Sequence, residues 1–505
     1  MGLRDSANRA VIWASFGWLS TSLIAFVTSV ITARLLAPQV FGLVTLVLVI
    51  VSASHIFADA GTRAAVVQLE EPMEDVVSTA LLSVPLQGLV GSIVIGAAAP
   101  LVSHFYDEPQ LTRLTLAMAP LLFLWSLSVI PDALLQRRFE LRARRGIVDP
   151  LGIGMYGVVV VVLALAGWEE WALVAGQYAY VVIISGGAWY LAAPRFRAGR
   201  PTAVAYRRIR TYARPLLLAN IVETVAAQSK PIALGRNLSP REVGLWGAGS
   251  RLAALPVQGV TTVAAEVMFP ALSRLQGDRE RFSLRLLEVL RLIALLAIPI
   301  AVTLIGLGEE GVAALFGERW RQAGTVLQVL AVGAVFFSLA DAAREAFKAS
   351  GRSSLVARNS SIEVGVFLVY LAAIWMLGLV TLVSVASGVA LASLAAMVTA
   401  VRSLGVTADT DVRQLWHAVR PASIGGVVQC AVLLGLVYGP LRGLGGWRHV
   451  FGVELGIVVP LSVLAGLAVV GLLAYAGAAE LAERRSVRDL ILTLRGILKG
   501  GRSAA

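Results

Sequence analysis

Residues 34–43 read RLLAPQVFGL, and residues 236–245 read RNLSPREVGL. At a constant offset of 202 they share Arg34/Arg236, Leu36/Leu238, Pro38/Pro240, Gly42/Gly244 and Leu43/Leu245. Each segment ends one long apolar run and opens the next. Pro and Gly interrupt a helix there, and the flanking Arg can reach headgroup phosphate. Similarity at a fixed offset is the mark of an internal repeat; the competing explanation is a shared turn chemistry at two unrelated outer junctions. As a repeat, the unit is six helices. An even number keeps both halves in one orientation, related by an axis along the membrane normal.

Working outward, uncharged or nearly uncharged runs fall at 10–33, 41–62, 76–99, 111–133, 147–167, 171–193, 213–235, 243–270, 288–308, 322–343, 359–378, 380–401, 421–440 and 450–477. About 20 apolar residues span a bilayer as a helix, so fourteen spans are expected. Of the 505 residues 57% are hydrophobic and 15% charged, and the mean hydropathy is +0.79. A soluble domain has roughly 45–50% apolar and about 25% charged residues, so a soluble multidomain enzyme is excluded. The first run is too long for a signal peptide and lacks a small-x-small cleavage site, so it reads as a retained helix.

Orientation follows from Lys and Arg in the connections. With the N-terminus inside, the cytoplasmic segments hold 32 basic residues and the outer ones 8. Both termini are expected in the cytoplasm. The net charge of +12 is thereby a topology signal, and the Arg-rich loops lack the interleaved aromatics of a nucleic-acid surface. The tail from Leu481 to Lys499 reads as a basic amphipathic helix on the anionic inner leaflet. Cys430 is the single cysteine, and His55, His104, His417 and His449 are scattered without ligand spacing. No metal, P-loop or cofactor is expected. The fold class is therefore an all-α integral membrane protein of about fourteen helices, N-in and C-in. Its expected divisions are a six-helix lobe at 1–200, a second at 201–402, two appended helices at 403–478 and the tail at 479–505.

Seven segments, the first containing the turn at 34–43, carry a resemblance: ITARLLAPQVFGLV at 31–44, FADAGTRAAVVQ at 57–68, SHFYDEPQL at 103–111, ALLQRRFELRA at 133–143, WALVAGQ at 171–177, EVMFPALSRLQGD at 266–278 and LFGERWRQAGTVLQVLAV at 315–332. In this order they resemble the polysaccharide-flippase branch of the MOP (multidrug, oligosaccharidyl-lipid, polysaccharide) exporter superfamily, the Wzx-like and teichuronic-acid-exporter-like proteins. The resemblance implies a two-lobe, fourteen-helix exporter in the bacterial inner membrane. It would carry lipid-linked sugar units from the cytoplasmic to the outer leaflet, with no enzymatic step. Where the family often has an Asp in the seventh helix, this chain reads Gln228-Ser229-Lys230-Pro231, so no acidic role transfers to that position.

Ionisable groups at bilayer depth are costly and usually face a cavity or a partner. Asp59 and Arg63, four residues apart, either pair on one helix face or leave Arg63 for the cavity. Asp341 reads as a structural partner of Arg344, and Glu266 and Glu363, near inner helix ends, as solvated. Arg251 lies about eight residues into the eighth helix, roughly 12 Å deep, with no acid within four positions. Glu223 on the seventh helix is at comparable depth, so the two either form an interhelical pair or serve different ends. In the second case Arg251 and Lys230 form a cationic wall for a diphosphate, and Glu223 is a candidate H+ or Na+ coupling site. A polyprenyl diphosphate cannot cross hydrocarbon uncompensated, and Arg compensates phosphate best. Gln87, Asn220, Gln228 and Gln258, with Ser229, are the candidate polar lining for the sugar. Other expected partners are membrane lipids and a polysaccharide polymerase or glycosyltransferases. The competing readings are a lipid II-type precursor flippase and a multidrug or ion antiporter of the same fold; a membrane polymerase would need long outer loops, and these are short.

Overall fold

The computed structural model describes residues 20–69, 73–138, 140–193, 199–273, 275, 278–408, 410–437 and 458–483. Among them there is no strand. The long helices are α1 (Ser20–Leu35), α2 (Pro38–Asp59), α3 (Met73–Ala97), α4 (Gln110–Arg137), α5 (Arg144–Leu165), α6 (Glu169–Ala192) and α7 (Ala203–Asn237). They continue with α8 (Pro240–Ser273), α9 (Arg279–Phe316), α10 (Arg321–Ala349), α11 (Ser353–Met376), α12 (Leu382–Ala408), α13 (Val412–Leu436) and α14 (Val458–Ala482). Eleven of the described helices are long and apolar enough to cross a membrane, and α1 is a shorter apolar helix in its described part. The chain is a multi-pass membrane protein. α7 is long but more polar, carrying Arg207, Arg208, Arg210, Arg214, Glu223 and Lys230.

Helix starts follow ordinary capping chemistry. Pro38 opens α2 at a position whose amide has no helical partner. The Thr202 hydroxyl accepts from the Ala205 amide at 3.1 Å, the Asp278 carboxylate from the Arg281 amide at 3.1 Å, and Asp411 with Gln414 forms a capping box. Helix ends are less faithful to the apolar runs. α9 extends over 38 residues, well past the run at 288–308, because Phe282 and Leu286 on its polar approach are buried and keep the helix packed beyond the apolar segment. α2 stops at Asp59, short of the run's end, because Ala60 and Gly61 turn left-handed at φ 46° and 77°.

The chain divides into two compact units, 1–244 and 245–505. In the first, Val76, Val77, Ala80 and Val84 of α3 pack with Val129, Ile130 and Ala133 of α4 and Ile209 of α7. The other side of α3 presents Leu82, Leu86, Val90, Ile93 and Val94 as exposed side chains, as a helix must that meets protein on one face and lipid on the other. In the second unit Leu286, Leu290 and Ile293 of α9 pack with Ala346 and Phe347 of α10 and Leu404 of α12.

A proline inside α9 shows how this unit satisfies its backbone. Pro299 has no amide to offer the Leu295 carbonyl, and the Tyr475 hydroxyl of α14 donates to that carbonyl at 3.1 Å. The Pro299 carbonyl accepts from the Thr303 hydroxyl at 2.8 Å and from Gln429 Nε2 of α13 at 3.1 Å. The carbonyl that Pro299 leaves without a helical donor is thus served from α14, as a lipid-embedded backbone requires.

Candidate functional site

The two repeated turns come together. A Cβ on Gly42 would overlap the Pro240 carbonyl oxygen, and one on Gly244 would overlap the Pro38 carbonyl oxygen. Each such Cβ would also lie 3.1 Å from the other glycine's amide nitrogen. The contact is reciprocal, Pro38–Gly42 against Pro240–Gly244, and only glycine permits it. Arg34 and Arg236 are exposed, and the Arg236 guanidinium lies 5.8 Å from the centre of the Phe105 ring. Tyr106 packs against Gly235, and burial pushes its phenol up to about 12.

Along α2, Ser52, His55 and Asp59 recur at helical spacing and share one face. Ser52 Oγ accepts from Gln228 Nε2 at 3.3 Å, tying α2 to α7. The His55 ring stacks on the Trp125 indole of α4 at 4.0 Å and 4° between planes. Sequence reading singled out Gln228 but missed Ser52 and His55. A polar residue every three or four positions of an otherwise apolar helix was the signal available. Lys230, half-buried, is two residues from Gln228. Side chains so spaced point to different sides of a helix.

Arg63 lies at the corner where α2 breaks. Because α2 breaks at Ala60–Gly61, Asp59 and Arg63 do not sit on one continuous helix face. The Asp59 carboxylate instead accepts from the Arg63 backbone amide at 2.8 Å, capping the short helix Thr62–Gln68. The Arg63 side chain donates to Gln136 Oε1 at 3.3 Å. Arg137 closes the other end of that short helix, donating from Nη1 to the carbonyls of Val66, Val67 and Leu69 at 3.1, 3.1 and 2.6 Å. Arg144 nearby is buried, bound by Asp132 at 2.7 Å and by Asp149.

In the second unit Arg251 is exposed, and among the described residues no carboxylate lies within ion-pair distance of it. Arg344 is buried and held by Asp341 at 3.3 Å and by Glu363 at 2.9 Å, with Phe337 5.0 Å from the guanidinium. Asp341 is thus the structural partner expected, while Glu363, expected to be solvated, is a second one. The Glu223 and Gln258 side chains lie outside the described residues. Asn220 is exposed; Gln87 is half-buried, and among the described residues its Oε1 has no hydrogen-bond partner. Among the described residues no cluster of His, Cys, Asp and Glu has the geometry of a metal site. Chemically, a guanidinium such as that of Arg251 or an ammonium such as that of Lys230 can each compensate an anion, and amides and hydroxyls can bond a sugar.

The model of a family described as polysaccharide biosynthesis protein matches residues 31–325, and that of lipid II flippase MurJ matches 215–443. The chain is 29% identical over 332 residues to the succinoglycan biosynthesis transport protein ExoT of Rhizobium meliloti (strain 1021), covering 65% of this chain and 66% of that one. It is 22% identical to the teichuronic acid biosynthesis protein TuaB of Bacillus subtilis (strain 168), covering 63% and 65%. With the lipopolysaccharide biosynthesis protein WzxC of Escherichia coli (strain K12) it shares 22% identity over 66% and 68%. The chain thus spans just under two thirds of the length of the first two. Among solved structures it is similar to lipid II flippase MurJ in an inward closed conformation, with a TM-score of 0.70 at 12% identity over 95% of this chain and 100% of that one. A multidrug resistance MATE family transporter of the MOP superfamily, inward-facing, gives 0.59 at 15% identity over 80% and 100%. At these identities the likeness is one of fold.

Proposed function

The chain belongs to the polysaccharide biosynthesis protein family, and from that premise we propose that it is a flippase of the MOP superfamily for polyprenyl-diphosphate-linked oligosaccharide. It moves the precursor of a capsule, exopolysaccharide or O-antigen from the inner to the outer leaflet of the bacterial plasma membrane. The mechanism is alternating access of two repeat-related halves, 1–200 and 201–402, in a fourteen-helix chain with both termini inside. No bond is made or broken, so the protein is not an enzyme. The observation that carries the reading is the family match over residues 31–325, which runs through both repeated turns.

Arg251 and Lys230 compensate the diphosphate during transit, and Asn220, Gln228 and Gln87 bond the sugar. A guanidinium suits the task because its donors fork to two phosphate oxygens. Glu223 couples the cycle to H+ or Na+, and a polymerase or glycosyltransferases hand substrate on. Lipid II-type cargo is the second reading, favoured by the MurJ family match over 215–443. Deleting the gene and profiling polyprenyl-linked sugars by mass spectrometry separates the readings. A trapped unit of a dispensable surface polymer is expected; accumulation of a peptidoglycan precursor supports the second reading, and accumulation of neither with new drug sensitivity overturns both.

A further inference from the structure

A cavity of about 470 Å³ opens where α11 and α12 approach at the side on which the charge asymmetry places the cytoplasm. Three guanidinium groups line it, those of Arg352, Arg358 and Arg402, together with the hydroxyls of Ser354, Thr399 and Ser403. Among the described residues that line it there is no carboxylate. Topology alone needs only charge in the loop, which exposed residues such as Arg279 and Arg281 already supply. It does not call for three guanidinium groups and three hydroxyls around one hollow.

The hollow is also held in shape. Arg358 Nη2 donates to Ser403 Oγ at 2.7 Å, and that hydroxyl donates to the Thr399 carbonyl at 2.7 Å. The adjacent, buried Asn359 donates from Nδ2 to the Ala396 carbonyl at 2.7 Å and to Thr399 Oγ1 at 2.8 Å. These bonds fix α11 against α12, so Arg358 does not have to be ordered when a ligand arrives. Arg352 and Ser354 flank the start of α11, a helix of 24 residues, whose dipole adds positive potential on the same side. Leu355 and Ile362 give the cavity an apolar wall. Cations, hydroxyls and an apolar wall together fit a phosphate carried on a lipid.

We propose that this cavity holds the phosphate headgroup of an acidic phospholipid of the cytoplasmic leaflet, independently of the cargo proposed above. Its chemistry is phosphate recognition, and the test distinguishes a lipid from a soluble source. The full-length protein, purified in detergent, is titrated with phosphatidylglycerol or phosphatidylcholine and bound lipids are counted by native mass spectrometry. Wild type is expected to retain phosphatidylglycerol over phosphatidylcholine, and Arg358→Gln with Arg402→Gln to weaken the tightest-bound copy by about tenfold or more. Arg358→Lys with Arg402→Lys keeps the preference, which guards against a fold defect, and Arg281→Gln leaves it unchanged. Inorganic phosphate that fails to displace the lipid at millimolar concentration identifies the lipid as the ligand. Full displacement by phosphate, equal retention of the two lipids, or unchanged binding in the double glutamine variant would overturn the proposal.

Discussion

Arg251 and Arg144 are both guanidinium groups in apolar company, and their surroundings assign them opposite fates. Arg144 is enclosed by Asp132 and Asp149, so removing its charge leaves two carboxylates without their counter-ion; Arg144→Gln is expected to destabilise by about 3–5 kcal/mol and to lower the amount of folded protein in the membrane. Arg251 is exposed with no carboxylate in reach among the described residues. Arg251→Gln should therefore leave accumulation and melting unchanged while cutting export about 10- to 100-fold, the worth of one charge-assisted hydrogen bond. Arg251→Lys, which keeps the charge and loses the fork, should fall between. A polymer-output assay beside a membrane immunoblot separates the two effects. Tyr475 is a purely structural case. Its hydroxyl serves the carbonyl that Pro299 frees, so Tyr475→Phe should cost about 1 kcal/mol in thermal unfolding with export unaffected.

At the level of elements, the apolar runs mark where helices cross, and they miss how helices end. α9 overshoots its run because Phe282 and Leu286 find a core. α2 undershoots because its last turn gives way to Ala60 and Gly61, and that break is what separates Asp59 from a side-chain pairing with Arg63. A spacing of four licenses such a pair only on an unbroken helix, so the residues were legible and their relation was not. Glu363 illustrates the same limit. Its depth was readable, but the Arg344 guanidinium that claims it comes from α10, a neighbour that one-dimensional spacing does not contain. The repeated turns carry the opposite lesson. Gly42 and Gly244 align in the sequence as interfacial punctuation, and the structure sets each against the other turn's proline carbonyl. Gly42→Ala or Gly244→Ala should force these turns apart. A loss of about 1–3 kcal/mol is expected, as for other overpacked contacts, read as a lower melting temperature of the purified protein.

For the whole molecule, composition and charge asymmetry already exclude a soluble enzyme, and the family match over 31–325 agrees with the segments by which the sequence was placed. The candidate site was legible only as a residue list. Ser52 and His55 emerge only through their contacts with Gln228 and Trp125, and Arg63 through its bond to Gln136 beside the break in α2. Such contacts depend on which side of a helix meets which neighbour, and polarity along the chain does not encode that. What the list retains is a cation without a described partner, Arg251, and the account of transport turns on it. The most direct measurement is transbilayer movement of a polyprenyl-diphosphate-linked oligosaccharide in proteoliposomes of the purified full-length chain. Wild type is expected to move the lipid at a rate well above empty vesicles, and Arg251→Gln to fall to near the empty-vesicle rate at equal protein. Equal rates for wild type and Arg251→Gln would contradict the assigned role of Arg251, and no movement by a well-folded wild type would contradict the function itself.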